Sequence, residues 1–380
     1  MNLLTRTPIR SDGIQTRNKI ADSAYKLFSK YSFYDVSVSK LSKDAGISIG
    51  AFYQYFKNKD SLFKYIINEI FSELEKSIQS DSLEQLISSY INFVKSNPDK
   101  INVIHEAEFI HSWVEEKFEK ILMEFSKKYL KNRVEFVFFW GAVRFSSIYH
   151  ILWKSEDVDI AELRKFLRKG LGKPEHEFST NVFDYRYEPV NVDLDTTKMK
   201  LLIAAEELFG KKGYSKTKIS DITNSVNVAQ GTFYLYFQSK KEILYELVRR
   251  TNKNLRLSVK LALQNFQNRI DSELAGYFAF LKFFSHHINI YKIIRESEFI
   301  DKKIALEYYE KIKKSYLKPL NIAIKKGEII KYNPEELAVF LMGLGHFLGK
   351  ELLLNKDVSE ANIIRFLMKF SKYFKGGLGG

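Results

Sequence analysis

Residues Gly50 to Lys59 read GAFYQYFKNK, and residues Gly231 to Lys240 read GTFYLYFQSK. Upstream, the pairs Leu27-Phe28 and Leu208-Phe209 keep the same spacing, since 208 − 27 and 231 − 50 are both 181. No residue has been gained or lost between these landmarks, so the chain reads as a tandem duplication. Each copy closes a stretch of roughly 45 residues that reads as three short helices and carries the signals of a helix-turn-helix that docks on DNA.

The wider pattern is helical. Apolar residues recur three and four apart in nearly every window, proline is scarce at six, and glycine is moderate at 18, which predicts an all-α fold. In the first copy Ile20, Ala24, Leu27 and Phe28 form the apolar stripe of an amphipathic helix that stops near Tyr31-Ser32. Ile203, Ala204, Leu208 and Phe209 read as its repeat, with Gly213 as the stop. A short second helix carries Val38 and Leu41 in one copy, Ile219 and Ile222 in the other. The sharp turn before the third helix requires a positive φ, and it holds Gly46 in copy one and Asn227 in copy two. Those two residue types tolerate the left-handed conformation best, so their difference argues for one shared backbone geometry.

The duplication extends beyond these helices. His105-Glu106-Ala107-Glu108-Phe109-Ile110 matches Arg295-Glu296-Ser297-Glu298-Phe299-Ile300 at an offset of 299 − 109, or 190, so the second half has gained nine residues in between. Phe136 to His150 and Leu337 to Lys350 are long apolar helices with an internal glycine, as expected of core or subunit contact. Between the halves, residues 172–195 hold Pro174 and Pro189 without helical periodicity and read as a linker. The expected domains are therefore 1–63 and 196–244 for the two helix-turn-helix units, with helical regulatory or dimerisation domains at 64–171 and 245–375. The Gly-rich end, Lys375 to Gly380, reads as mobile.

Composition narrows the partners. There are 60 Lys and Arg against 46 Asp and Glu, a formal net charge of +14, which favours a polyanion: nucleic acid first, an anionic membrane second. With no cysteine, neither disulfides nor thiolate metal sites can form, which fits a cytoplasmic protein. Met1 to Gln15 contains Arg6, Pro8 and Arg10 and lacks the apolar core of a secretory signal. The run Phe136 to Val143 falls far short of a membrane span, so no membrane partner is expected.

Taken together, these residues resemble the N-terminal DNA-binding domain of the TetR family of transcriptional regulators. The likeness lies in Ala-x-x-Leu-Phe (Ala24 to Phe28, Ala205 to Phe209), the short second helix, the turn, and Gly-x-Phe-Tyr-x-Tyr-Phe-x-x-Lys. Gly327-Glu328-Ile329 followed by Asn333-Pro334-Glu335 resembles the family's approach to its dimerisation helices, whereas the first half lacks a clear counterpart. The resemblance implies two TetR-like units in one chain, each a DNA-binding domain followed by a helical ligand-binding and dimerisation domain. It also implies roles for individual residues. Ser48, Ile49 and Ala51, and in the second copy Ala229, Gln230 and Thr232, would face bases. Tyr53, Tyr234, Tyr55 and Tyr236 would reach phosphates through their hydroxyls, Lys59 and Lys240 through their ammonium groups and helix N-termini. Gly50 and Gly231 would allow close approach of the sugar-phosphate chain. Where the family usually has a capping Thr, copy one has Ser37, an acceptable substitute, and copy two has Lys218, which can only contact a phosphate by charge. Ala229 stands where copy one has Ser48, so copy two loses a hydroxyl from the presumed groove face, and the two recognition helices should prefer different base sequences.

Such a protein is expected to bind a double-stranded DNA operator and a small apolar effector, and to act as a repressor without a cofactor. Phe109, Trp113, Trp140, Phe283, Tyr291 and Phe347 are candidates to line the effector pocket, and ordinary core packing explains them equally well. His150 and His346 lie on apolar helices, where core and pocket roles both stand. Glu108 and His111 have Glu-x-x-His spacing, but the matching position in the second half is Asp301, so no metal is expected. Two architectures remain open: a pseudo-dimer within one chain, or a homodimer of tandem chains. A helical interaction protein with degenerate DNA-binding domains, or a helical enzyme acting on a hydrophobic substrate, are the alternatives. No phosphate-binding glycine loop or nucleophile elbow supports the enzyme.

Overall fold

The computed structural model describes residues 11–189, 196–354 and 359–379. Arg6, Pro8 and Arg10, and the last part of the expected linker, 190–195, lie outside the described residues. The fold is all-α, and no β-strand occurs among the described residues. No described helix is long and apolar enough to cross a membrane. The chain forms two compact units, Met1–Lys127 and Lys128–Gly380, so the division falls inside the segment 64–171.

The first unit runs α1 Ser11–Lys30, a 3-10 turn Phe33–Asp35, α2 Val38–Asp44, α3 Ile49–Tyr55, α4 Lys59–Ser77, α5 Leu83–Ser96, α6 Pro98–Ile110 and α7 Ser112–Ser126. Ile20, Ala24, Leu27 and Phe28 are buried along α1, as their spacing predicts. Phe28 and Phe33 meet Phe63 of α4 at ring-centroid distances of 5.2 and 4.6 Å, which closes the small three-helix core.

The second unit begins with α8 Arg133–Ser146, which continues as a π-helix Ser147–Lys154, and α9 Ile160–Lys169. It goes on through α10 Thr197–Lys212, α11 Ile219–Ser225, α12 Gln230–Tyr234, α13 Lys240–Leu263 and α14 Arg269–His286. The remaining helices are α15 Ile288–Ile300, α16 Lys302–Lys325, α17 Pro334–Leu353 and α18 Glu360–Gly376. In α10 the expected stripe is corrected. Leu201, Leu202, Ala204, Ala205 and Phe209 are buried, while Ile203 is 43% exposed and Leu208 lies in between. The offset of 181 maps Ile20 onto Leu201, and Ile203 sits some 200° further round the helix, on the outer face.

The two long apolar helices meet. α8 and α17 pack antiparallel, with Arg133 beside Glu351 at one end and His150 beside Glu336 at the other. Gly141 and Gly343 face each other at the crossing: a Cβ on Gly343 would stand 2.7 Å from the Gly141 carbonyl oxygen and from Phe145 Cβ. α9 and α18 complete a four-helix bundle, joined to α8 and α17 by contacts of Phe138 with Phe166 (5.6 Å) and Phe370 (6.0 Å), and of Phe166 with Phe340 (5.4 Å). Each buried ring contributes about 1.5–3 kcal/mol by burial. The part-exposed Arg133–Glu351 pair adds no more than about 1 kcal/mol, so apolar packing decides the pairing. Asn132 caps α8 and Asn333 caps α17 through their side-chain oxygens, so the first half does have a counterpart to the Asn333-Pro334 start.

The described part of the linker is packed rather than a free tether. Its His176 Nε2 lies 2.8 Å from Asp271 of α14, Tyr185 and Tyr187 hydrogen-bond Ser258 and His287, and Phe183 meets Phe278 edge-on at 5.2 Å. The Gly-rich end is likewise held, which corrects the expectation of mobility up to Gly379. Leu378 N–H donates to Leu167 at 2.8 Å, Gly379 N–H to Arg168 at 3.2 Å, and Leu171 N–H returns a bond to Phe374 at 2.7 Å.

Candidate nucleic-acid interface and effector cavity

Both turns adopt the conformation their residues predict: Gly46 has φ +67° and Asn227 φ +55°. A Cβ on Gly46 would meet nothing within 4 Å, so the dihedral alone, not crowding, restricts that position. Upstream, Ser37 caps α2 by accepting from Lys40 N–H at 3.1 Å. Lys218 makes no such cap, but its own N–H donates to Asp221 at 3.1 Å, which supplies half of a capping box from the other side.

The third helices differ at their starts. Ser48 caps α3 by accepting from Ala51 N–H at 3.0 Å, a job that its sequence position signalled and that base reading alone would not explain. Ala229 offers no side-chain acceptor, and α12 is shorter, five residues against seven. Ala229→Ser should stabilise the second helix-turn-helix by about 1 kcal/mol, read as a shift in its chemical or thermal midpoint. An unchanged midpoint would show that the cap is not what shortens α12.

Around these helices the apolar and polar faces separate cleanly. Phe52, Phe56, Phe233 and Phe237 are buried, while Tyr53 is 48% and Tyr234 52% exposed. Ser37, Ser48, Ile49 and Gly50 are exposed in copy one, with Ala51 and Tyr55 half-buried. In copy two Lys218, Ala229, Gln230, Gly231 and Tyr236 are exposed and Thr232 is half-buried. In each copy, then, none of these residues is buried in the core. Sequence reading passed over Leu235, which is 79% exposed beside Tyr234. The signal was available: the equivalent residue is Gln54, and a core position would not accept glutamine.

Gly50 and Gly231 have no internal reason to be glycine. Neither has a positive φ, a Cβ on Gly50 would find only Ser48 Oγ at 3.8 Å, and one on Gly231 would find nothing within 4 Å. Lys59 and Lys240 depart from expectation. Lys59 Nζ donates to the Phe33 carbonyl at 2.6 Å and lies 4.1 Å above the Phe33 ring; Lys240 Nζ donates to the Tyr214 and Thr217 carbonyls at 2.8 and 2.9 Å. Their ammonium groups brace the loop before the second helix, whose carbonyls offer acceptors within the lysine's reach. Partial burial lowers the Lys59 pKa from the ordinary lysine value, offset in part by Asp60, Asp35 and Glu106.

A cavity of about 800 Å³ lies among α13 to α17 in the second unit. Its wall is mainly apolar and aromatic; exposed Arg256, Lys260 and Gln264 also line it, and two groups of its polar residues are buried and paired. Arg269 and Glu273 form one ion pair. In the other cluster Tyr309 donates to Glu298 at 2.8 Å and meets His346 Nδ1 at 2.8 Å, while Arg295 contacts the same imidazole. Burial pushes the hydroxyls of Tyr277, Tyr308, Tyr309 and Tyr316 upward, so they stay neutral donors. Pro319, inside α16, has no N–H for the helix ladder where that helix borders the cavity.

Of the six residues expected to line one pocket, Tyr291 alone lines this cavity, and His346 lines it too. Phe283 borders a smaller hollow of about 370 Å³ beneath residues 181–188 of the linker. Trp140 is buried in α8 against Phe139, and Phe347 lies under the Arg144 guanidinium at 5.1 Å, so both belong to the bundle. Phe109 and Trp113 are half-buried in the first unit, Trp113 with the Lys64 ammonium 5.1 Å from its ring. The four in the second unit do not line one cavity. Helical spacing identifies an apolar face but not whether that face meets a neighbouring helix or a void.

Comparison with known proteins places the repeat. The model of "Bacterial regulatory proteins, tetR family" matches residues 20–66 and 201–247, again 181 apart. An uncharacterized HTH-type transcriptional regulator in the lacX 3'region of Lactococcus lactis subsp. lactis is 37% identical over 84 residues, 22% of this chain and 41% of the relative. The HTH-type transcriptional activator FasR of Mycolicibacterium smegmatis is 29% identical over 106 residues, 28% of this chain and 48% of the relative. The chain thus spans less than half the length of these curated relatives. A putative TetR-family regulator from Syntrophomonas wolfei aligns in structure with 22% identity and a TM-score of 0.42, over 47% of this chain and 94% of that one. FadR from Bacillus subtilis, solved in complex with stearoyl-CoA, aligns with 16% identity and a TM-score of 0.39, over 47% and 97%. The chain thus carries two tandem copies of a TetR-like DNA-binding segment.

Proposed function

We propose that this protein is a DNA-binding transcriptional regulator, a ligand-responsive repressor whose two unlike recognition helices read the major groove of one operator. The observation that carries this reading is the pair Gly50 and Gly231. Each sits in a recognition helix, costs helix stability, and has free space beside it, so its use lies outside the chain. An approaching sugar-phosphate backbone would fill that space. Ile49, Ala51, Gln230 and Thr232 would then face base edges, with Tyr53, Tyr55, Tyr234, Tyr236 and Lys218 on phosphates. Leu235 joins them as a candidate for apolar contact with a thymine methyl group. The excess of 60 basic over 46 acidic residues would make affinity fall steeply with salt.

The bundle of α8, α9, α17 and α18 favours the pseudo-dimer. It joins the last helices of the first repeat to the last helices of the second and so does within one chain what pairs two subunits elsewhere. One chain would supply both readers and recognise two unlike half-sites. The cavity in the second unit would take a small, largely apolar effector, and occupancy would release DNA. Solution mass combined with footprinting tests this: a monomer protecting one site of roughly 15–20 base pairs is expected. A dimer with a protected region twice as long would replace it with the four-reader model.

A further inference from the structure

The matched segments His105–Ile110 and Arg295–Ile300 lie outside the helix-turn-helix copies, yet each sends one carboxylate into its reader. In α6, buried Glu106 accepts from the Ser32 hydroxyl at 2.6 Å and from Phe33 N–H at 3.0 Å. In α15, Glu296 accepts from Tyr214 N–H at 3.0 and 2.8 Å. Phe33 and Tyr214 are equivalent, 181 apart. The carbonyl of that same residue is the one held by Lys59 in copy one and by Lys240 in copy two. One residue of the loop before the second helix is therefore gripped through both of its peptide groups. A carboxylate from the downstream helical domain takes the N–H, and a lysine from the next helix takes the C=O.

The arrangement recurs although the two halves differ by nine residues in the intervening segment, so it is a property of the repeat and not of one local sequence. In the second unit the same helix also walls the cavity. Tyr291, Ile294 and Arg295 of α15 line it, and Glu296, one residue on and about 100° round the helix, turns to the loop. α10 sits on α15 so closely that a Cβ at Gly210 would overlap the Asn289 side chain. A displacement of α15 at the cavity must therefore either carry the reader with it or break the carboxylate's bonds.

We propose that Glu296, and Glu106 in the first repeat, are positioning residues that fix each helix-turn-helix to its helical domain, with Glu296 transmitting occupancy of the cavity to the reader. This rests on the regulator reading for its purpose, not for its geometry. The test uses the full chain and follows amide hydrogen exchange at Tyr214 and Ser215. The built-in occupant is Gly276→Phe: Gly276 lines the cavity, and a Cβ there would meet only Leu263 Cδ2, at 3.9 Å.

Glu296→Ala should speed exchange at Tyr214 about ten- to a hundredfold, the effect of losing a hydrogen bond to a charged acceptor. Gly276→Phe should change that rate in the presence of Glu296 and add nothing in the Glu296→Ala background. Glu296→Gln, which keeps a neutral acceptor, should lie between, and it decides the matter if the alanine variant does not fold. An unchanged Tyr214 rate in these variants, or a Gly276→Phe effect of equal size with and without the carboxylate, overturns the proposal. Failure of the unaltered protein to bind duplex DNA would count against the regulator reading and leave the exchange rates to judge the clamp.

Discussion

Gly343→Ala is expected to destabilise the second unit by about 3 kcal/mol, at the upper end of what overpacking costs. The added carbon would stand 2.7 Å from both the Gly141 carbonyl oxygen and Phe145 Cβ, and neither is the yielding tip of a flexible side chain. α8 and α17 would have to separate, and the ring contacts across the bundle would loosen with them. Two neighbouring glycines provide internal standards. At Gly141 the new carbon would lie 3.3 Å from Phe347 Cβ, so Gly141→Ala should cost less, about 1 kcal/mol. At Gly345 it would meet only the Tyr277 ring at 3.5 Å, an ordinary contact, and the gain in helix propensity should leave stability unchanged or raised by up to about 1 kcal/mol. Urea denaturation of the three variants should give that order, 343 worst and 345 best. If all three behave alike, the close crossing of α8 on α17 is wrong.

A second large effect should come with opposite signs in folding and in binding. Gly50→Ala and Gly231→Ala replace a poor helix former where nothing obstructs the methyl group, so each should stabilise its domain by about 0.5–1 kcal/mol. Each should also weaken duplex binding roughly ten- to a hundredfold, if the vacant space beside it is where the sugar-phosphate chain lies. The two measurements, a thermal midpoint and an electrophoretic or fluorescence titration at fixed salt, separate this from simple damage to the fold. A variant that gains stability and binds as before would remove the main support for the proposed interface. In the combined variant the binding losses should be close to additive, because the two glycines serve different half-sites.

Much of the fold was readable because a few positions admit few residue types. A left-handed turn residue is most easily Gly or Asn, and Gly46 and Asn227 fill that role with φ of +67° and +55°. The Phe52, Phe56, Phe233 and Phe237 rings had to be core because their spacing leaves no exposed alternative. Other features were not readable, for physical reasons. Ile203 is as apolar as its neighbours, and the repeat register, not hydrophobicity, puts it outside. A lysine at a helix start can turn to solvent or back to a loop carbonyl, and in Lys59 and Lys240 the loop carbonyls are within reach. The matched Glu106 and Glu296 were visible as a repeated pair, but their partners lie 73 and 82 residues away along the chain, and sequence spacing says nothing about such contacts. Trp140, Phe283, Tyr291 and Phe347 fall in different surroundings for the same reason: whether an aromatic face meets another helix or an empty space depends on the crossing of helices distant in sequence.

The bundle of α8 with α17 has a consequence for how such a molecule responds to scarcity. Two subunits that pair through a bundle come apart when diluted, and the concentration of the active pair then depends on the square of the subunit concentration. Tethered in one polypeptide, the two helices meet at a local concentration in the millimolar range whatever the copy number. Occupancy of a target would rise in simple proportion to the number of chains, and a few molecules per cell would each arrive already assembled.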